Sequence, residues 1–101
     1  LSLIVWDDYE TMIAQANDTE YGLASGIYTS NLQHAMETAA RLEAGSVWIN
    51  RYSNITDGTA FGGYKNSGIG REFCRETLNA YTQIKTVTVQ ARLPNVWFAE
   101  R

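Results

Sequence analysis

The chain opens on an almost unbroken apolar run, Leu1-Ser2-Leu3-Ile4-Val5-Trp6, the pattern of a strand buried on both faces. It meets Asp7-Asp8-Tyr9-Glu10, where Asp7 is placed to accept hydrogen bonds from free helix amides and Glu10, three residues on, to reach back as in a capping box. A helix is predicted from that point. Tyr9, Met12, Ile13 and Ala16 recur at helical spacing as one apolar stripe, and Gly22 then suits a chain reversal. Ser25 to Thr29 reads as a short strand. Ser30 and Gln33 repeat the capping geometry, and Leu32, Ala35, Met36, Ala39 and Leu42 form a second stripe that ends before Gly45, a suitable C-terminal cap. Ser46-Val47-Trp48-Ile49-Asn50 is β-branched and aromatic. Strand, helix, strand, helix, strand thus alternate, which predicts an α/β fold: a short βαβαβ parallel-sheet unit with right-handed crossovers.

From Arg51 to Gly70 the periodicity gives way to a polar, glycine-punctuated stretch too long for an ordinary connection, and long loops in compact domains tend to carry function. Phe73, Thr77, Leu78 and Tyr81 predict a third helix. Lys85-Thr86-Val87-Thr88-Val89-Gln90 then alternates polar and apolar as a half-buried strand with no partner nearby in sequence, so its unpaired backbone suits pairing with another chain.

Composition narrows the function classes. Eight Lys plus Arg against eleven Asp plus Glu leave a net charge of −3 without a long block of either sign, so no nucleic-acid partner is expected. No apolar run reaches the length of a membrane span and no secretory leader is seen, which makes a cytoplasmic protein the expectation. Cys74 is the only cysteine, which excludes an internal disulfide. The triplets Asn17-Asp18-Thr19 and Asn54-Ile55-Thr56 fit a glycosylation pattern that arises by chance in many cytosolic chains. Leu1 in place of a methionine, at the head of an apolar run, reads as a chain that begins in mid-fold.

The run Phe61-Gly62-Gly63-Tyr64-Lys65-Asn66-Ser67-Gly68-Ile69-Gly70-Arg71 ends where a helix is predicted, a place where free amides can hold phosphate. Its spacing matches neither the dinucleotide fingerprint nor the Walker pattern, so the glycines read better as sites of tight turning and close packing. Cys74, between Arg71 and Arg75 but far from His34 in sequence, reads as a structural thiol and not as a nucleophile. His34 has no companion ligands and reads as a solvated helix residue.

Four motifs occur in order: Ala16-Asn17-Asp18-Thr19-Glu20-Tyr21-Gly22-Leu23-Ala24, Ala44-Gly45-Ser46-Val47-Trp48-Ile49-Asn50, Phe61-Gly62-Gly63-Tyr64-Lys65-Asn66-Ser67-Gly68, and Tyr81-Thr82-Gln83-Ile84-Lys85-Thr86-Val87. Together they resemble the C-terminal part of aldehyde dehydrogenases, from Leu1 to about Gln90. The resemblance implies that residues 1–50 finish a catalytic α/β domain, 51–81 form a pocket loop and helix, and 82–90 an oligomerisation strand, with 91–101 an atypical tail.

Enzymes of that family pass hydride from an aldehyde, held on a cysteine thiolate, to NAD or NADP, and a glutamate then activates water to release the acid. The resemblance places the nucleophile, the general base and the cofactor-binding residues upstream of Leu1. No catalytic residue, cofactor-binding residue or bound cofactor is therefore expected in this chain alone. What it implies here is a wall of the aldehyde pocket at Ile55 and Phe61, a monovalent cation held by the backbone carbonyls of Lys65 and Gly68, and an oligomer interface at Thr86, Val87, Thr88 and Val89. The expected partners are the rest of a parent enzyme or a second copy through the C-terminal strand. Ala60 stands where a proline often precedes the phenylalanine, and Gln83 where some members carry glutamate. Arg51 and Asp57 suit a charged or amino-bearing aldehyde. The alternative is a free-standing α/β assembly module without catalytic activity.

Overall fold

A computed structural model describes residues 1–91. Most of the tail expected over 91–101 therefore lies outside the described residues. The elements in order are α1 (Tyr9–Asn17), β1 (Tyr21–Gly22), β2 (Ala24–Ile27), α2 (Leu32–Arg41), β3 (Ser46–Ile49), β4 (Tyr64–Lys65) and α3 (Arg75–Ala80). Strands β2 and β3 pair in parallel, from Ala24 opposite Ser46 to Ile27 opposite Ile49, with α2 as the crossover that parallel pairing requires. Strands β1 and β4 pair antiparallel, Tyr21 opposite Lys65 and Gly22 opposite Tyr64, and bring the glycine-rich loop back onto the end of α1.

The α/β class holds, while the five-element parallel unit reduces to one β-α-β pair. Leu1 to Trp6 forms no strand, and Leu1, Leu3, Ile4 and Val5 are exposed. Lys85 to Gln90 likewise carries no strand pairing. Both segments have strand composition, but a strand is completed by hydrogen bonds to a neighbour, and no described residues supply that edge.

Local capping also differs by one residue at each helix. The Asp8 carboxylate, not that of Asp7, accepts from the Thr11 amide at 2.7 Å and the Thr11 hydroxyl at 2.6 Å. These two bonds hold the Asp8 carboxyl below its ordinary value, the hydroxyl contributing most. Asn31, not Ser30, caps α2 by accepting from the His34 amide at 3.1 Å. Glu10 is free of any capping box because Arg41 claims its carboxylate.

Helices α1 and α2 meet through the small core that the two stripes supply. Ile13 and Ala35 are buried, and so is Thr38, which replaces the predicted Met36 and Leu32 on the inner face. The Thr38 hydroxyl donates to the His34 carbonyl at 2.7 Å and receives the Tyr9 hydroxyl at 2.9 Å, so this buried polar group is satisfied. Around this centre Arg41 reaches Glu10 with both terminal nitrogens and lies 5.1 Å over the Tyr9 ring, whose other neighbour is the His34 imidazole at 4.8 Å. Gly45 is not the cap of α2, a role taken by Leu42, and Gly22 is a strand residue and not a reversal.

Candidate functional site

Strand β3 is followed by Asn50, whose backbone is left-handed with φ 55°. Its side-chain oxygen accepts from the Thr29 amide and its side-chain nitrogen donates to the Thr29 carbonyl, both at 2.9 Å. The amide group thus continues the ladder where the main chain turns away, and Asn tolerates this backbone better than other side-chain-bearing residues. Beyond it Trp48 donates its indole N–H to the Asn54 carbonyl at 2.9 Å and meets the Tyr52 ring edge-on at 5.1 Å. These contacts launch the exposed stretch 51–60, which carries Ile55, Arg51 and Asp57.

The chain then turns back on itself. Phe61 and Glu72 exchange both backbone hydrogen bonds, at 3.0 and 2.7 Å, to close the glycine-rich segment into a loop. Arg71 lies across the inside of that loop, donating to the carbonyls of Gly63 at 3.1 Å and Gly70 at 2.6 Å, with its guanidinium 5.6 Å over the Tyr64 ring. Gly62 is required there, because a β-carbon would come within 2.5 Å of the Gly70 oxygen and 2.8 Å of the Arg71 side chain. The Arg71 carbonyl in turn accepts from the Thr77 hydroxyl at 2.8 Å, which fastens the loop to α3.

The result is an open concavity of about 580 Å³ with Phe61, Leu23, Ile69 and Phe73 as its apolar wall and the Gly68 backbone at its rim. Mostly apolar walls with few fixed polar groups suit a small organic ligand. Phe73 holds φ 60°, a strained backbone for an aromatic residue, and its carbonyl receives the Gly58 amide at 2.8 Å. Of the residues predicted for the site, Phe61 and Gly68 line this concavity. Ile55 stands in the neighbouring loop, 40% exposed, outside its lining. The Lys65 backbone belongs to β4, and Val87 and Val89 lie exposed in the segment after α3.

Cys74 caps α3 by position. Its sulfur is 3.9 Å from the Thr77 hydroxyl, and a hydrogen bond from its thiol is the main reason the Glu76 carboxyl sits below its ordinary value. His34, its ring tilted against that of Tyr9, lies at the α1–α2 contact and away from Cys74. Among the described residues no three His, Cys, Asp or Glu side chains group to hold a metal ion, and no helix is long and apolar enough to cross a membrane. Among the described residues the β-α-β crossover starts its helix from Asn31, whose side chain already occupies the His34 amide, and no glycine turn separates β2 from α2.

Two features of this site have no local signal in the sequence: the Arg71 brace inside the loop, and the Lys65 side chain, whose carbonyl partners are 46 and 48 residues away and whose ion-pair partner is Glu43. The Asn50 side chain has a weak one, an Asn directly after a β-branched run.

Fold and loop together define an α/β segment in which a parallel crossover supports a glycine-rich pocket loop. The sequence pattern of the aldehyde dehydrogenase family matches residues 1–87, and the chain belongs to that family. It is 49% identical over 89 residues to betaine aldehyde dehydrogenase 2 of Rhizobium meliloti (strain 1021), a match covering 88% of this chain and 18% of that protein. The betaine aldehyde dehydrogenase of Vibrio vulnificus (strain YJ016) is also 49% identical, over 90 residues. The chain thus spans 18% of the length of the curated relatives it matches. Among solved structures, an aldehyde dehydrogenase from Bacillus cereus in complex with NAD+ superposes with a TM-score of 0.76 at 44% identity, covering 86% of this chain and 18% of that one. The NAD+ complex of a Mycobacterium tuberculosis aldehyde dehydrogenase gives 0.73 at 41% identity, covering 77% and 16%.

Proposed function

We propose that this chain is the C-terminal portion of an NAD(P)-dependent aldehyde dehydrogenase-like oxidoreductase, and that it supplies one wall of the aldehyde pocket and a strand for subunit pairing. The observation that carries this reading is the braced concavity walled by Phe61. An apolar wall held by backbone pairing and a guanidinium brace orients an aldehyde and keeps water from its carbonyl carbon until the hydrolytic step. Hydride acceptance is the chemistry of the nicotinamide itself, and on this reading the residues that would hold NAD or NADP belong to the rest of the parent enzyme. Ile55, Lys65 and Gly68 enter the same reading. Ile55 adds apolar surface beside Phe61, and the Lys65 and Gly68 carbonyls hold a monovalent cation.

The test is a chimaera in which residues 1–90 replace the matched ninety residues of the Vibrio vulnificus betaine aldehyde dehydrogenase, assayed by NAD(P) reduction with betaine aldehyde. An active chimaera is expected, in which Phe61→Ala raises KM about tenfold, a loss in the range that pocket contacts discriminate. A folded chimaera whose KM ignores Phe61→Ala would remove the pocket role. The exposed Val87 and Val89 also favour the assembly-module alternative, which the solution mass of the isolated chain addresses below.

A further inference from the structure

Lys65 stands at the point where the glycine-rich loop meets the first two helices. Its backbone is left-handed at φ 50°, and its ammonium donates to the Asn17 carbonyl at 2.6 Å and the Thr19 carbonyl at 3.1 Å. The Glu43 carboxylate completes the cage at 2.6 Å, and the Lys65 side chain is 26% exposed. Asn17 is the last residue of α1, a helix with no basic residue in its own final turn. The negative end of that helix therefore receives its cation from a residue 48 positions away.

The next two residues follow Lys65 onto the same segment. Asn66 donates its amide to the Glu20 carbonyl at 2.9 Å and its side-chain nitrogen to the Glu20 carboxylate at 3.0 Å. The Ser67 hydroxyl accepts from the Gly22 amide at 2.9 Å. The Glu43 amide meanwhile donates to the Asn17 side chain at 2.9 Å, so the cage also ties in the residues that follow α2. Removing the ammonium would leave two carbonyls and a carboxylate converging on each other without a counter-charge, an arrangement that favours separation.

We infer that Lys65 is a positioning residue: its ammonium is a built-in cation whose three oxygen partners set the glycine-rich loop, and with it the Phe61 wall, against α1 and the end of α2. The consequence for Phe61 rests on the pocket reading above. The geometry of the cage does not, and it is tested without substrate, so failure of either leaves the other to its own experiment.

The test is amide hydrogen exchange on the full 101-residue chain, read at Asn66 and Gly22 beside the cage and at Asn50, whose amide bonds to Ile27 at 2.7 Å in the parallel pair. Lys65→Ala is expected to speed exchange at Asn66 and Gly22 by about tenfold or more while Asn50 changes little. Propylammonium, which replaces the atoms removed, is expected to restore most of the protection, and propanol none of it. Lys65→Arg keeps a cation at the site and is expected to retain most of the protection. Should Lys65→Ala fail to fold, Glu43→Gln serves in its place, with a selective loss at the same two amides of about threefold or more expected. Unchanged exchange at Asn66 and Gly22, a uniform loss that includes Asn50 in both variants, equal rescue by propanol, or a wild-type chain without protection at those amides would each overturn the inference.

Discussion

A β-carbon at Gly45 would lie 1.7 Å from the Gly62 carbonyl oxygen, and one at Gly22 would lie 2.3 Å from the Glu43 carbonyl oxygen. Both clashes are with backbone, which cannot swing aside as a side-chain tip can. Gly45→Ala is therefore expected to destabilise the chain by about 1–3 kcal/mol or more, seen as a lower urea midpoint, because it forces the loop off the sheet. Gly58 offers a control, since nothing lies within 4 Å of its added β-carbon, although its φ of +87° still carries strain. The sequence reads the glycines of the 61–71 run as places of tight turning and close packing, and Gly62 and Gly63 are closely packed while Gly68 and Gly70 hold positive φ of +129° and +81°. It misassigns Gly45 to the end of α2, since a glycine after a helix stripe looks the same whether it caps the helix or seats a neighbouring strand. Phe61 stood out through its motif, and its place on the wall of the concavity is a matter of tertiary pairing with Glu72.

At the level of elements, the α1–α2 contact depends on one exposed ion pair beside a small core. The hydrogen bond from Arg41 is the main reason the Glu10 carboxyl lies below its ordinary value of 4.5, and the Arg41 guanidinium is correspondingly held more firmly in its protonated form. A carboxyl whose folded value is depressed stabilises the fold above its unfolded value and loses that contribution as pH falls through the folded one. Thermal melts followed by helical circular dichroism should therefore show a drop between about pH 7 and about pH 3 that Glu10→Gln makes shallower. Added salt should shrink the difference, because the two side chains are 39% and 70% exposed. Asp8 contributes with the same sign. Helix positions were readable from sequence because stripe and cap are local, and the N-cap errors are single-residue choices among adjacent candidates, while the C-terminal cap of α2 falls at Leu42, three residues before Gly45. Asp7 and Asp8 have the same chemistry, and only the backbone at Asp8, φ −117° and ψ 125°, decides which one caps.

For the whole molecule, the telling feature is how much apolar surface is left uncovered. Leu3, Ile4, Val5, Ile84, Val87 and Val89 are each more than 70% exposed, against two buried apolar side chains among the described residues, Ile13 and Ala35. Scattered exposed apolar residues are ordinary, but two whole segments of them leave a large apolar surface uncovered. The isolated chain is accordingly expected to self-associate at micromolar concentration, and Val87→Lys with Val89→Lys should lower its mass in sedimentation. A discrete symmetric oligomer lost with those changes would favour the assembly module, and a heterogeneous aggregate would favour the enzyme portion.

By itself the sequence determined the helices, the β2–α2–β3 crossover, the family and the close packing of Gly62 and Gly63, since each rests on periodicity or on neighbouring residues. Tertiary structure alone decided that Lys65 serves the end of α1, that Arg71 braces the loop from within, and that Asn50 stands in for main chain beside Thr29. The Lys65 and Asn50 contacts join residues 21 to 48 positions apart, and the Arg71 brace, only eight residues long, spans the turn that the Phe61–Glu72 pairing closes; a hydrogen bond leaves no pattern in sequence when its partners meet only after folding.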